Sequence, residues 1–172
     1  MSEKKVIMIA GPNGAGKTTF AHALLNDGER ANFFNADAIA ATLSSVSSQT
    51  AALQAARMML EQLDDCVHRQ ESFALETTLS GKSYVKRIRD WRTAGYHVSL
   101  YFLSLPNVEM AIARVAERVA QGGHHIPEDV IRRRFQAGLQ NFDRVYQHAV
   151  DLWMKVDNSG DTPVLLDQGT NR

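Results

Sequence analysis

The sequence predicts an α/β fold with a mostly parallel sheet. Three observations carry this. Short apolar runs alternate from end to end with stretches of helical length. Cap and stop residues fall between them. A glycine-rich segment, "GPNGAGKTT" (11–19), joins the first apolar run to the first helical stretch.

In chain order, "KVIMIA" (5–10) is a buried-strand candidate, and a helix follows from near Gly16 to about Leu25. "ANFFNAD" (31–37) reads as a second strand ending near Asn35. Ala38–Leu43 and Gln49–Gln70 are rich in Ala, Leu and Met and read as helices. "SFALE" (72–76) is the third strand, and Ser83–Thr93 a basic helix stopped at Gly95. "HVSLYFLSL" (97–105) is the clearest strand. Asn107 caps a helix from Val108 to about Gln121, which Gly122-Gly123 ends. Pro127, followed by Glu128 and Asp129, opens a last helix running to about Val150. "WMKVD" (153–157) and "PVLL" (163–166) finish as two short strands.

At 172 residues and 44% hydrophobic, the chain suits one domain with one sizeable core. Its formal net charge of zero makes a nucleic-acid partner an unfavoured reading. The lone cysteine, Cys66, cannot form an internal disulfide. The first residues lack the apolar stretch of a signal peptide, and no run reaches the length of a membrane span. The expectation is a cytoplasmic domain.

Gly11, four residues, then Gly16-Lys17-Thr18 satisfy the P-loop pattern. Gly11, Pro12, Asn13, Gly14, Ala15 and Gly16 can fold into a nest of amide N–H groups around an oxyanion. The helix beginning there adds its positive end, with Lys17, Thr18 and Thr19 in its first turn. Lys17 would reach the β- and γ-phosphates of ATP, and the Thr18 hydroxyl would bind Mg²⁺. Two other users of this loop fit poorly. "TLSGK" (78–82) only imitates a transporter-ATPase signature, and no apolar run ends in Asp-Glu. "DNSG" (157–160) meets a GTPase pattern at the wrong end of the chain. The class that remains is the small phosphotransferases.

Such an enzyme needs a carboxylate beyond a strand end, facing the γ-phosphate. Asp37 is either that base or the N-cap of the helix behind it. Glu76, with Thr77 and Thr78, is either a magnesium and acceptor ligand or a strand-end polar cluster. Arg114 and Arg118 share one helix face, and Arg132–Arg134 follow a Gly-rich link, so residues 114–134 have the makeup of a closing lid. Three consecutive arginines cannot all face one site; Arg133 and Arg134 are the inward candidates. His124 and His125 read as lid surface. Asn158, in the loop after the fifth strand, either pairs with the adenine edge or belongs to an ordinary Asn-Ser-Gly turn.

"GPNGAGKTTFA", "NADAIA", "ETTLSG", "GYHVSLYFLSLPN", "RVAERVAQGGHHIPEDVIRRRF" and "VDLWMKVDNSG" together resemble the zeta-toxin-like P-loop kinases, over about residues 5–166. The resemblance implies a three-layer fold with a five-stranded parallel sheet and a helical lid. It also implies ATP-dependent phosphorylation of a hydroxyl; in zeta toxins proper the acceptor is UDP-N-acetylglucosamine, and a small antitoxin blocks the ATP site. The family's general base matches Asp37 and its phosphate lysine Lys17. Its lid arginines fall in the Arg114/Arg118 and Arg132–Arg134 region. This chain is shorter than zeta toxins proper.

Overall fold

The structure is a computed structural model that describes residues 3–27, 31–43 and 47–172. It opens with β1 (Lys5–Ala10), α1 (Lys17–Asn26), β2 (Asn32–Phe34), α2 (Ala36–Ala41) and α3 (Ser48–His68). There follow β3 (Phe73–Thr77), α4 (Tyr84–Thr93), β4 (His97–Ser104), α5 (Val108–Ala120) and α6 (Glu128–Asn141). A π-helical turn (Phe142–Tyr146), α7 (Gln147–Ala149), β5 (Leu152–Asp157) and β6 (Val164–Thr170) complete it. Among the described residues no helix is long and apolar enough to cross a membrane.

The strands form one sheet in the order β2-β3-β1-β4-β5-β6. All neighbours are parallel except β5 and β6. The five-stranded parallel sheet implied by the resemblance is therefore present, with a sixth strand added. That strand must be antiparallel, because residues 158–163 are too few for a crossover.

Side-chain alternation builds three layers. Val6, Met8 and Ala10 of β1 point to one face, with Phe73, Leu75, Val98, Leu100 and Phe102. There they meet Met59 and Leu63 of α3, Ile88 and Trp91 of α4, and Phe142 and Tyr146 of the π turn. Ile7 and Ile9 point to the other face, with Ala74 and Leu103, against Ala21 of α1, Ala111 and Val115 of α5 and Ile131 of α6. Phe102 and Phe142 stack at 4.6 Å, tying the central strand to the π turn.

The last strand runs on to Thr170, beyond the expected residue 166, and two helices differ from the sequence expectation for identifiable reasons. The helix α2 starts at Ala36, not Ala38, because Asn35 is its cap: the Asn35 Oδ1 accepts from the Asp37 amide at 2.9 Å. The helix expected to run from Pro127 to Val150 is interrupted after Asn141. The π turn re-phases its side chains, so that Phe142 and Tyr146 are both fully buried.

Helix α6 lies directly on the loop that follows β3. A Cβ at Gly138 would overlap the Thr78 carbonyl oxygen. Asn141 Nδ2 donates to the Leu79 carbonyl at 2.7 Å, and the Tyr146 hydroxyl to the Gly81 carbonyl at 2.7 Å. Leu79 itself sits at φ 55°. In an open helix, Gly→Ala stabilises by about 1 kcal/mol. Here the sign should reverse: Gly138→Ala is expected to cost about 1–3 kcal/mol through overpacking. Denaturant unfolding of the variant against the parent measures this.

Candidate active site

The segment between β1 and α1 wraps into a closed loop because its glycines allow it. Gly14 and Gly16 both take φ 82°, which an L side chain rarely adopts. Neighbours also crowd them: a Cβ on Gly14 would come within 2.9 Å of the Ala111 carbonyl, and one on Gly16 within 2.8 Å of Asn158 Nδ2. Gly16 is the N-cap of α1 and offers its first turn no side-chain acceptor. The amides of that turn are thus left without a side-chain cap, as a helix-end anion site requires.

Lys17 is buried, with its Nζ donating to the Gly11 carbonyl at 2.9 Å and the Pro12 carbonyl at 3.0 Å. Burial pushes the Lys17 ammonium down to about 8; Glu76 and Asp37 pull it back up, while Arg118 and Arg134 lower it further. A phosphate in the loop would restore the charge that burial disfavours. Asn13, 7% exposed, completes the buried polar pair of the loop.

Beside the lysine lies an oxygen-rich corner. The Thr18 hydroxyl donates to Glu76 Oε2 at 2.8 Å. Asn35 Nδ2 donates to the same Oε2 at 3.1 Å and reaches Thr18 Oγ1 at 3.4 Å. A hydroxyl and a carboxylate in hydrogen-bond contact are the hard oxygen donors from which Mg²⁺ takes one or two ligands, leaving the rest to water and phosphate. The residues present fit that ion. Asn35, read from the sequence only as a strand end, is the hub: its Oδ1 caps α2 and its Nδ2 bonds Glu76.

These groups face a cavity of about 240 Å³ beyond the carboxyl ends of β1, β2 and β3. Lys17, Asn13 and Arg134 line it together with Asp37, Glu76, Thr77 and Thr78. Asp37 is the second residue of α2, exposed, and released from capping by Asn35. Thr77 Oγ1 accepts from the Leu79 amide at 3.1 Å, and Thr78 Oγ1 contacts Ser80 Oγ at 3.0 Å. The remaining wall is Ala56, Met59 and Leu60 of α3 with Ser83 and Tyr84 at the start of α4. None of those five stands out in the sequence, because an amphipathic helix presents core and cavity residues with the same pattern.

The arginines divide. Arg134 lies 3.5 Å from Asn13 Oδ1 and enters the cavity. Arg118 is exposed at the end of α5, and its charge acts on Lys17. Arg133 corrects an expectation: it is exposed and outside the cavity. Helix phase explains it. Ile131 is buried, so Arg133, about 200° on, points away, whereas Arg134, about 300° on, returns to the buried side. Arg132 pairs with Glu109 at 3.3 Å and Glu128 at 2.9 Å.

Arg114 and Asn158 are committed to backbone. Arg114 donates to the carbonyls of Gly14 (3.2 Å), Asn158 (3.0 Å) and Ser159 (2.8 Å). Asn158 Nδ2 donates to the Ala15 carbonyl at 2.6 Å. Both brace the loop instead of opening toward a phosphate or a base edge. Thr19 is exposed on α1. The Gly122-Gly123 link closes a helix-stop motif: the Gly123 amide donates to the Arg118 carbonyl at 2.7 Å and the Gly122 amide to Val119 at 3.0 Å.

A family model described as Zeta toxin matches residues 1–171. The chain belongs to the Zeta toxin family. A Haemophilus influenzae protein, described as uncharacterized, is 29% identical over 133 residues, covering 77% of this chain and 94% of that protein. Among solved structures, the AvrRxo1-ORF1:AvrRxo1-ORF2 complex with sulphate ions superposes with a TM-score of 0.74 at 17% identity, over 96% of this chain and 58% of that one. The PezAT toxin–antitoxin system of Streptococcus pneumoniae gives 0.67 at 14% identity, over 98% and 72%. The chain spans about half, 48%, of the chain it matches in the Pnkp1/Rnl/Hen1 RNA repair complex. The fold of this zeta toxin family member is that of a P-loop kinase.

The lowered Lys17 pKa sets a pH dependence. Between pH 8 and the ordinary lysine value of 10.5, the unfolded chain holds a proton that the folded chain lacks. Stability therefore rises with pH across that window, and below pH 8 the charged lysine costs the fold its full penalty, of order ~3 kcal/mol. Lys17→Met should flatten this rise. Unfolding titrations at pH 7 and pH 10 on both proteins measure the difference.

Proposed function

We propose that this chain is an ATP- and Mg²⁺-dependent phosphotransferase acting on a hydroxyl of a small acceptor. One observation carries the reading: a single cavity is lined by the P-loop lysine and by Asp37 and Glu76. Phosphoryl transfer asks for little covalent chemistry from a protein; it asks for positioning and for charge stabilisation.

Each residue then has a role. The loop amides and Lys17 hold the terminal phosphates. Mg²⁺, when bound, neutralises phosphate charge that develops in the transition state. Thr18 and Glu76 would hold that ion, with Asn35 fixing the carboxylate. Arg134 and Arg118 supply positive charge from the arms of α6 and α5. Asp37 orients the acceptor hydroxyl and receives its proton. Family membership also suggests an antitoxin as the protein partner.

Replacement of Asp37 by Asn discriminates base from helix residue. Since Asn35 is the cap, Asp37→Asn should leave melting near native while slowing transfer by about 10²–10⁴-fold. Asn35→Ala, by contrast, should cost about 0.5–2 kcal/mol of stability. Coupled detection of ADP with unfolding curves separates the two. Transfer by Asp37→Asn at the parent's rate would remove Asp37 from the chemistry.

Arg118 should act on the transferring group more than on bound nucleotide. Arg118→Ala is expected to lower kcat by about 10²–10³-fold, as loss of one transition-state donor does. Titration with ATP should give a Kd close to the parent's. A change confined to Kd would assign Arg118 to ground-state binding.

A further inference from the structure

The two edges of the sheet are unlike. At one, β2 is three residues long. At the other, β6 is seven residues long and pairs on one side only, with β5. Its outer side presents backbone donors and acceptors to no strand. Proteins blunt such an edge with a short strand, with lysines, with a bulge or with a covering helix. β6 carries no lysine, and six of its seven residues are exposed. Its one bulge leaves Leu166 without a partner on β5.

The side chains make the edge more unusual. Val164, Leu165 and Leu166 are 56%, 50% and 55% exposed. Leu53 and Met58 of α3 are the other large apolar side chains exposed among the described residues. Three consecutive apolar residues on an open edge call for a strand that brings the same.

We propose that β6 pairs antiparallel with β6 of a second copy of this chain, about a two-fold axis at Leu165, so that one sheet runs through both copies. Charge selects this occupant and its register. The only charged residue of β6 is Asp167, whose Oδ1 accepts from the Gln168 amide at 2.8 Å. The 167–170 end thus carries a carboxylate, and the 164–166 end carries no charge. An axis at Asp167 would set two carboxylates against each other, which is destabilising. An axis at Leu165 sets Leu165 against its copy and Val164 against Leu166, so the apolar side chains of both copies meet. Asp167 then falls opposite Pro163, whose missing N–H suits the end of a ladder. Length excludes the other edge: the copy's β2 would match three residues against seven and leave an open chain of copies, whereas β6 on β6 closes at two. A formal net charge of zero adds no general repulsion between copies.

The seam is short, so the dimer belongs with weak interfaces burying less than about 1,200 Å², with a Kd of ~1–100 µM. The cavity beyond β1, β2 and β3 lies on the other half of the sheet, with β4 and β5 between it and the seam.

Sedimentation equilibrium of the full chain over ~1–500 µM should show monomer passing to dimer. Leu165→Lys puts a charge on the axis and should weaken association at least about tenfold. Leu53→Lys, at an exposed site on α3, should leave association unchanged, and unfolding curves check that both variants fold. Cross-linking reads the register. Leu165→Cys should form a disulfide between copies under mild oxidation, because facing residues of an antiparallel pair have Cβ atoms ~4.5–5.5 Å apart. Gln168→Cys should not, because its copy lies about six positions along the ladder, ~20 Å away. The native Cys66 is buried and does not compete. A chain that stays monomeric at ~500 µM, or a dimer that Leu165→Lys leaves intact, would overturn the proposal. Cross-linking of Gln168→Cys as fast as Leu165→Cys would overturn the two-fold pairing at Leu165.

Discussion

One buried ammonium organises the molecule. Lys17 sits inside its own loop, largely shielded from water, and its ammonium donates to two backbone carbonyls. Holding it there requires a loop that cannot relax. The braces come from far along the chain. Arg114 gathers three carbonyls, one from the loop and two from the 158–159 turn, and Asn158 donates to Ala15. The turn is itself fixed: the Ser159 hydroxyl and amide hold the Asp157 carboxyl below the usual carboxylate range, and Arg114 adds to the effect. The fifth strand thus ends in a clamp on the first loop, across the β4 strand between them.

Helix α6 is the second integrating element. Along one side it carries Arg134 to Asn13, Gly138 to Thr78 and Asn141 to Leu79, and the π turn then delivers Tyr146 to Gly81. The P-loop and the loop after β3 are therefore attached to one continuous helical segment. Leu79 at φ 55° is an unfavourable conformation for a γ-branched residue, and these contacts over-determine it. Movement of α6 about the 121–127 link would shift Arg134 and the loop after β3 together.

Much of this was legible in the sequence, for physical reasons that also mark where reading stops. The P-loop was readable because backbone conformation dictates its residues: only glycine tolerates φ 82° under a neighbouring carbonyl. The strands of β1, β3 and β4 were readable because both their faces are buried. Arg114 was read as a lid arginine and Asn158 as a base-edge or turn residue; their partners Gly14 and Ala15 lie 100 and 143 residues away, and spacing says nothing of such distances. Arg133 was misassigned because the phase of α6 depends on Ile131 entering the core, which the run "RRR" does not reveal. Asn35 was read only as the end of the second strand, because its bond to Glu76 exists only once β2 and β3 pair.

The aromatic rings of α4 carry a consequence for observation. Trp91 is 2% exposed, and its ring centroid lies 6.4 Å from that of Tyr84, which forms part of the cavity wall. Excitation absorbed by the phenol can pass to the indole at that separation. The chain's other tryptophan, Trp153, lies beside Phe142 and Gly169 at the opposite edge of the sheet. A ligand that moves the Tyr84 ring would therefore change the excitation that reaches Trp91, giving the cavity an optical reporter in its own wall.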